Sequence, residues 1–316
     1  MRHPWLRFAL RRAAGFAVSL AVLVTVTFLI TQLVPGDPVR ASLGPTAPAS
    51  LVQERRAALH LDEPVPRQFL YYVEGLLSGD FGRSFTSGRP VAEVIADRFP
   101  MTLRLALAAF VLTLLVAVPL GTAIAVLTRG GRRPGAEKSF SLATGFVLSV
   151  PEYLMATALV ALFAVTLDWL PITGSSGWTA YVLPLAAVSA APIAVLARIT
   201  RVETLKVLDQ EYMRVARGKR LPRRLLYVRH ALPNTLTATL TVGGMLLAGL
   251  VAGTVIVENV FSWPGLGTAI VEAIPQKNYP LVQAIALLLG TIVLLVNFVV
   301  DMLLARLDPR SLIGES

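Results

Sequence analysis

The chain has no cysteine, which excludes disulfides, thiolate nucleophiles and cysteine metal ligands. Its three histidines, His3, His60 and His230, lie far apart, so a His-rich metal site is not expected. There is no P-loop pattern, no glycine-rich dinucleotide motif, no HExxH and no nucleophile elbow, which removes the common signatures of nucleotide, metalloprotease and serine-hydrolase chemistry. Charge is scarce too. Charged residues are 15% of the 316, against 55% apolar, a balance too apolar for an ordinary soluble domain.

What is present is a set of apolar runs near bilayer length. Six candidate spans follow: Ala13–Leu33, Leu103–Leu127, Phe146–Leu167, Ala180–Ala197, Thr235–Val257 and Leu281–Leu304. The fourth is the least regular, since Pro184 and Pro192 interrupt it. The N-terminus has the basic start and apolar core of a signal peptide, but no small-x-small cleavage site follows, so a retained membrane helix is expected.

The formal charge of +10 could point to nucleic acid, but its distribution points to orientation in a membrane. Arg2, Arg7, Arg11 and Arg12 precede span one, and Arg129, Arg132, Arg133 and Lys138 lie between spans two and three. The densest cluster lies between spans four and five, and Arg306 and Arg310 follow span six. The loop from Thr166 to Thr179 carries only Asp168. The alternation predicts six spans with both termini cytoplasmic; no nucleic-acid partner is expected.

Between spans one and two, Pro35–Pro100 reads as a helical extracytoplasmic cap, too short and too weakly apolar to bury a large core of its own. Ser50 with Gln53 resembles a capping box opening a helix to Leu59. Pro66–Leu77 is amphipathic, with Gly79 as its stop. Pro90–Phe99 reads as a further short helix ending before Pro100. In VLSVPEYLMA, Glu152 is a carboxylate near a span and hence a functional candidate; Pro151 equally marks a kink or a helix start at the interface, where Glu152 would be wet. The last outward loop, VENVFSWPGLG at Val257–Gly267, places Phe261 and Trp263 as interfacial aromatics and Trp263-Pro264-Gly265 as a turn.

The most basic segment is Glu211–Asn234, EYMRVARGKRLPRRLLYVRHALPN. Helical spacing puts Tyr212, Val215 and Ala216 on one face and Arg214, Arg217 and Leu221 on another. Pro222 is expected to break that helix, a second short helix would occupy Arg223–Leu232, and Pro233 would sit in the first turn of the next span. Helix, break and helix between two spans make a docking element.

Apart from Glu152, the span centres carry no carboxylate, histidine or lysine of the kind a proton-coupled transporter requires. No filter loop or acidic ring of a selective cation channel is visible. Energy must therefore come from a partner. A stand-alone channel or secondary transporter, and a membrane scaffold or insertase, are the competing classes.

Six stretches in order then carry a resemblance: LVPGDP at Leu33–Pro38, GDFGRSFTSGRPV at Gly79–Val91, YMRVARGKRL at Tyr212–Leu221, RHALPN at Arg229–Asn234, VENVFSWPGLG at Val257–Gly267 and LDPR at Leu307–Arg310. Over nearly its whole length the chain resembles the permease subunits of bacterial binding-protein-dependent ABC importers, in the dipeptide/oligopeptide/nickel subfamily. The resemblance implies an all-α membrane protein of the type I importer fold. Its parts would be the N-terminus with the first helix (1–34), a cap (35–100), a five-helix core (101–305) holding the coupling loop 211–234, and a cytoplasmic tail (306–316).

The resemblance further implies a non-catalytic subunit in the bacterial cytoplasmic membrane. It would pair with a second homologous permease, two ATP-binding subunits or one fused ATPase, and an extracytoplasmic substrate-binding protein. ATP and Mg would sit in the partners, with no cofactor or metal on this chain. The implied coupling residues are Tyr212, Arg214, Val215, Ala216, Arg217, Gly218, Lys219, Arg220 and Leu221. The arginines would meet the ATPase surface, and Tyr212, Val215 and Ala216 its groove. Glu258, Asn259, Phe261, Trp263, Pro264 and Gly265 would form the external gate or binding-protein contact. Peptides are the implied cargo, with nickel, glutathione or glycosidic ligands as alternatives. One departure stands out: the subfamily has glycine just before the final leucine of the coupling helix, where this chain has Arg220, with Gly218 two residues earlier. The turn is therefore expected to shift toward Leu221-Pro222.

Overall fold

The computed structural model describes residues 4–33, 37–44, 46–172, 177–219, 221–222 and 225–307. Among them the structure is helical, apart from an isolated antiparallel bridge between Arg83 and Pro90. The α-helices are α1 (Pro4–Leu33), α2 (Pro38–Leu43), α3 (Ala49–Ala58), α4 (Val65–Ser78), α5 (Val91–Thr128), α6 (Pro134–Ser149), α7 (Glu152–Leu159), α8 (Thr179–Leu208), α9 (Glu211–Gly218), α10 (Leu232–Val260), α11 (Leu266–Ala273) and α12 (Tyr279–Leu307). Within the described residues α1, α5, α8, α10 and α12 are long and apolar enough to cross a bilayer. The pair α6–α7, continued by a π-helical turn Val160–Thr166, adds a sixth crossing if taken as one broken span.

The third expected span is thus not one helix. α6 and α7 are bent by 98° where they meet, because Val150 and Pro151 are both extended, with ψ of 120° and 142°. Proline disfavours helical geometry in the residue before it and cannot donate to the preceding turn. Elsewhere proline does not stop a helix. Pro184 and Pro192 lie inside α8, and α5 runs through Pro100 and absorbs the short helix expected at Pro90–Phe99. In a long apolar helix with packed neighbours, one lost backbone bond is outweighed by the rest. Ser50 does not open a capping box: α3 starts at Ala49 after Pro48, with no side-chain cap. α4 ends as expected, on Gly79 in the left-handed region at φ 77°.

The chain divides into two compact units. The first comprises the residues up to Leu103 and Pro264–Phe298. Its core is Val91, Leu266, Ala269, Ala273, Leu281, Ala284 and Ile285. In the same unit Phe28 of α1 packs on Phe69 and Tyr72 of α4, with ring centroids 5.3 and 5.7 Å away. A Cβ on Gly290 of α12 would stand 2.7 Å from Leu23 Cδ2, so this glycine admits α1.

The second unit comprises Arg104–Trp263 and Val299–Leu307. It is built on α8, which packs most extensively on α10 and also on α6 and α7. Ala109, Ala156, Leu183, Ala187, Leu250, Val257 and Phe261 share one core. Gly121 lets α5 meet α8, since a Cβ there would lie 2.5 Å from the Ala197 carbonyl.

Candidate functional site

The basic segment folds as a short helix fastened to the end of a span. α8 ends at Leu208, and only Asp209 and Gln210 separate it from α9, so α9 has little freedom to swing. Met213 is 0% exposed and Ala216 is buried, packed with Leu208, Leu226 and Ala231. Arg217 donates a hydrogen bond to the Leu208 carbonyl. Arg129, just beyond α5, donates to the same carbonyl at 3.0 Å and pairs with Asp209 at 2.7 Å. Two guanidiniums thus close the C-terminal end of α8, where unpaired carbonyls and the helix dipole favour cations. Burial first, then the charge of Arg129, lowers the pKa of Arg217 from its ordinary value, with Asp209 opposing. An arginine so perturbed still carries its charge at neutral pH.

This arrangement revises the faces expected from spacing. Ala216 lies on the inner face with Met213, not on an outer one with Tyr212 and Val215. Arg217 turns inward, and Leu221 packs against the same inner cluster. The outward surface is Tyr212 (43% exposed), Val215 (58% exposed) and the exposed Arg214, Gly218 and Lys219. α9 stops at Gly218, before Leu221-Pro222, and Gly218 is not among the positive-φ glycines. The stop therefore needs no left-handed glycine. Arg220, Arg223 and Arg224 lie outside the described residues. The second short helix is instead a π-helical turn, Leu226–Ala231, that runs into α10 without a break, with Pro233 in the first turn.

The outward loop is built differently from expectation. Phe261 and Trp263 are 1% and 0% exposed, core residues rather than interfacial ones. Trp263 meets Tyr181 edge-on, centroids 4.6 Å apart, and its backbone N–H donates to the Glu258 backbone carbonyl at 2.8 Å. Glu258 is fully buried, while Asn259 is exposed. These four residues belong to the second unit; Pro264, half-buried, and Gly265, buried, belong to the first.

Residues 117–312 match the family described as the binding-protein-dependent transport system inner membrane component, and residues 5–106 match its N-terminal counterpart. The chain belongs to that family. The glutathione transport system permease protein GsiC of Salmonella typhimurium is 37% identical over 304 residues, covering 96% of this chain and 98% of that protein. GsiC of Escherichia coli K12 is 36% identical over 305 residues with the same coverage. Among solved structures, the inward-facing MetNI methionine ABC transporter aligns with TM-score 0.55 at 16% identity, over 68% of this chain and 96% of that one. An amino acid ABC transporter solved with histidines aligns with TM-score 0.52 at 16% identity, over 68% and 94%. Both likenesses are of fold.

The chain is therefore a multi-pass permease subunit of an ABC importer. Membership implies, in general terms, a substrate-binding protein, a partner permease and an ATPase.

Sequence reasoning missed a second built feature of the permease, in its first unit. The GDFGRSFTSGRP stretch closes on itself: Gly82 N–H donates to Asp80 at 2.8 Å, Ser84 N–H to Arg89 O at 2.9 Å and Gly88 N–H to Ser84 O at 2.9 Å. Asn278, 1% exposed, fastens it. Its Oδ1 accepts from Phe85 N–H at 2.9 Å, and its Nδ2 donates to Ser84 Oγ at 2.7 Å. No local signal marks Asn278, because its partners are more than 190 positions away. Met213 did have a signal, since it and Ala216 are three apart and share a helical face.

Proposed function

We propose that this chain forms half of the translocation pathway of an ATP-driven importer of di- and oligopeptides, glutathione-like peptides included, in the bacterial cytoplasmic membrane. Both termini face the cytoplasm on this reading, which the distribution of Lys and Arg supports. A second homologous permease completes the pathway, and an extracytoplasmic binding protein delivers solute to the cap and to the Val257–Pro280 loop. Two ATP-binding subunits, or one fused pair, supply ATP and Mg chemistry. The peptide cargo is supported by relatives named for glutathione transport, which share over a third of the sequence across nearly the full length.

The observation that carries the reading is the fastening of α9. Its outer face is left to a partner, while Met213 and Arg217 tie its inner face to the end of α8. When the ATPase subunits close on ATP, a push on Tyr212, Arg214 and Val215 passes to α8 as rigid-body motion, and from there to α6, α7 and α10, which pack on it. Helix-in-groove docking joined to charge complementarity is the expected mode.

The test is purification of the chain with its native partners. ATP hydrolysis should rise when the binding protein and a dipeptide are added, and proteoliposomes should take up the peptide only with ATP. Uptake that proceeds without ATP would overturn the reading in favour of a stand-alone transporter.

A further inference from the structure

The Val150–Pro151 break has a chemical consequence. It makes Glu152 the first residue of α7 and brings its carboxylate against α10. A Cβ built on Gly253 would lie 3.2 Å from both Oε1 and Oε2 of Glu152, so the absence of a side chain there makes room for the carboxylate. One turn earlier, nothing stands within 4 Å of the Cβ position of Gly249. Beside them lies a partly open cavity of about 230 Å³ lined by Val150, Met155, Ala190, Ala191, Gly249 and Gly253, among others, and every lining residue except Glu152 is apolar.

A half-buried carboxylate facing apolar walls is costly unless it takes up a proton or meets a cation. Among the described residues, no Arg, Lys or His lines the cavity. A favourable charge at the start of α7 accounts for a Glu at that position, but a solvent-facing carboxylate would satisfy the dipole equally well. It does not account for two glycines one turn apart and a cavity opened before the carboxylate.

We propose that Glu152 and the Gly249–Gly253 face of α10 form a binding site within the membrane-spanning unit for a primary ammonium group carrying a short aliphatic body. A divalent metal would need several oxygen ligands, and the cavity offers one carboxylate. A guanidinium is best held by a bidentate partner in a polar fork, whereas here an apolar pocket suits the carbon chain behind a compact ammonium. The volume is below the roughly 300 Å³ at which pockets enclose whole drug-sized ligands, so the site takes one end of a solute. On the importer reading above, on which the identity of the natural solute rests, that end is the α-ammonium of a peptide in transit.

The experiment uses the purified complex of this chain with its partners, without the binding protein. n-Butylammonium chloride is the probe, and 1-butanol is the uncharged control of similar shape, both followed by saturation-transfer NMR. Butylammonium should bind at least about tenfold more tightly than butanol, as expected for a charge-assisted contact, and Glu152→Gln should abolish the difference. Equal binding of the two probes, equal binding to E152Q, or no butylammonium binding overturns the site. If E152Q does not assemble, Gly253→Ala serves instead: its methyl meets the carboxylate and should weaken butylammonium severalfold, and unchanged affinity counts against the site. ATP-dependent dipeptide uptake by the wild-type complex is measured in parallel. Uptake without butylammonium binding defeats the site alone; butylammonium binding without any uptake defeats the importer reading and leaves the site.

Discussion

The guanidinium of Arg217 donates to the backbone carbonyl of Leu208 at the end of α8. An arginine that spacing alone would offer to a partner is spent inside the chain, where it ties α9 to the end of α8, at the same carbonyl that Arg129 reaches from the end of α5. The helix is therefore two-sided: an inner face packed and tied to the end of α8, and an outer face left exposed.

Replacing Arg217 by Glu places a carboxylate against a carbonyl and removes the tie. The partly exposed contact is worth about 1 kcal/mol, so the complex should still assemble. Stimulation of ATP hydrolysis by binding protein and peptide should fall to the basal rate. Stimulation at the wild-type level in reconstituted R217E would show that the tie does not transmit.

The two faces of α9 should separate experimentally. Val215→Asp alters an exposed position, so stability should change by less than about 0.5 kcal/mol while pull-down of the ATPase subunit is lost. Met213→Ala opens a cavity in the inner cluster and should cost about 2–4 kcal/mol in thermal or denaturant unfolding. The reverse pattern would invert the assignment.

Asn278→Ala leaves Phe85 N–H without its partner and takes one of two donors from Ser84 Oγ, which keeps Ser87 N–H, at a cost of roughly 1–3 kcal/mol. Limited proteolysis should then cut between Asp80 and Pro90 at protease concentrations that leave the wild type intact. An unchanged cleavage pattern would remove Asn278 from the role of fastener.

Gly121→Ala drives a methyl to 2.5 Å from the Ala197 carbonyl and 2.7 Å from Thr200 Cβ. Backbone cannot yield cheaply, so α5 and α8 must separate, at about 1–3 kcal/mol. Gly135→Ala, with nothing within 4 Å, is the matched control and should leave the melting temperature unchanged.

Much of the fold was legible because a bilayer writes length and charge into the chain. The apolar runs, the Lys and Arg alternation, the amphipathic α4 with its Gly79 stop and the break at Pro151 all follow from one segment and its solvent. Proline elsewhere misled. Pro100, Pro184 and Pro192 sit inside helices, because packing and the cooperativity of a long helix outweigh a local preference. The aromatics misled in another way. Phe261 and Trp263 have the composition of an interfacial belt, but both are buried, and Trp263 meets Tyr181 from a distant helix.

By itself the sequence determined that the chain carries apolar runs of bilayer length, and that the segment after Gln210 is a short basic amphipathic helix. Only the tertiary structure decided which face of that helix turns inward, that Arg217 serves Leu208, and that Glu152 lies against Gly253. Periodicity establishes that a helix has faces. Which face is buried depends on what a distant segment brings to it, and that is a property of the packed chain.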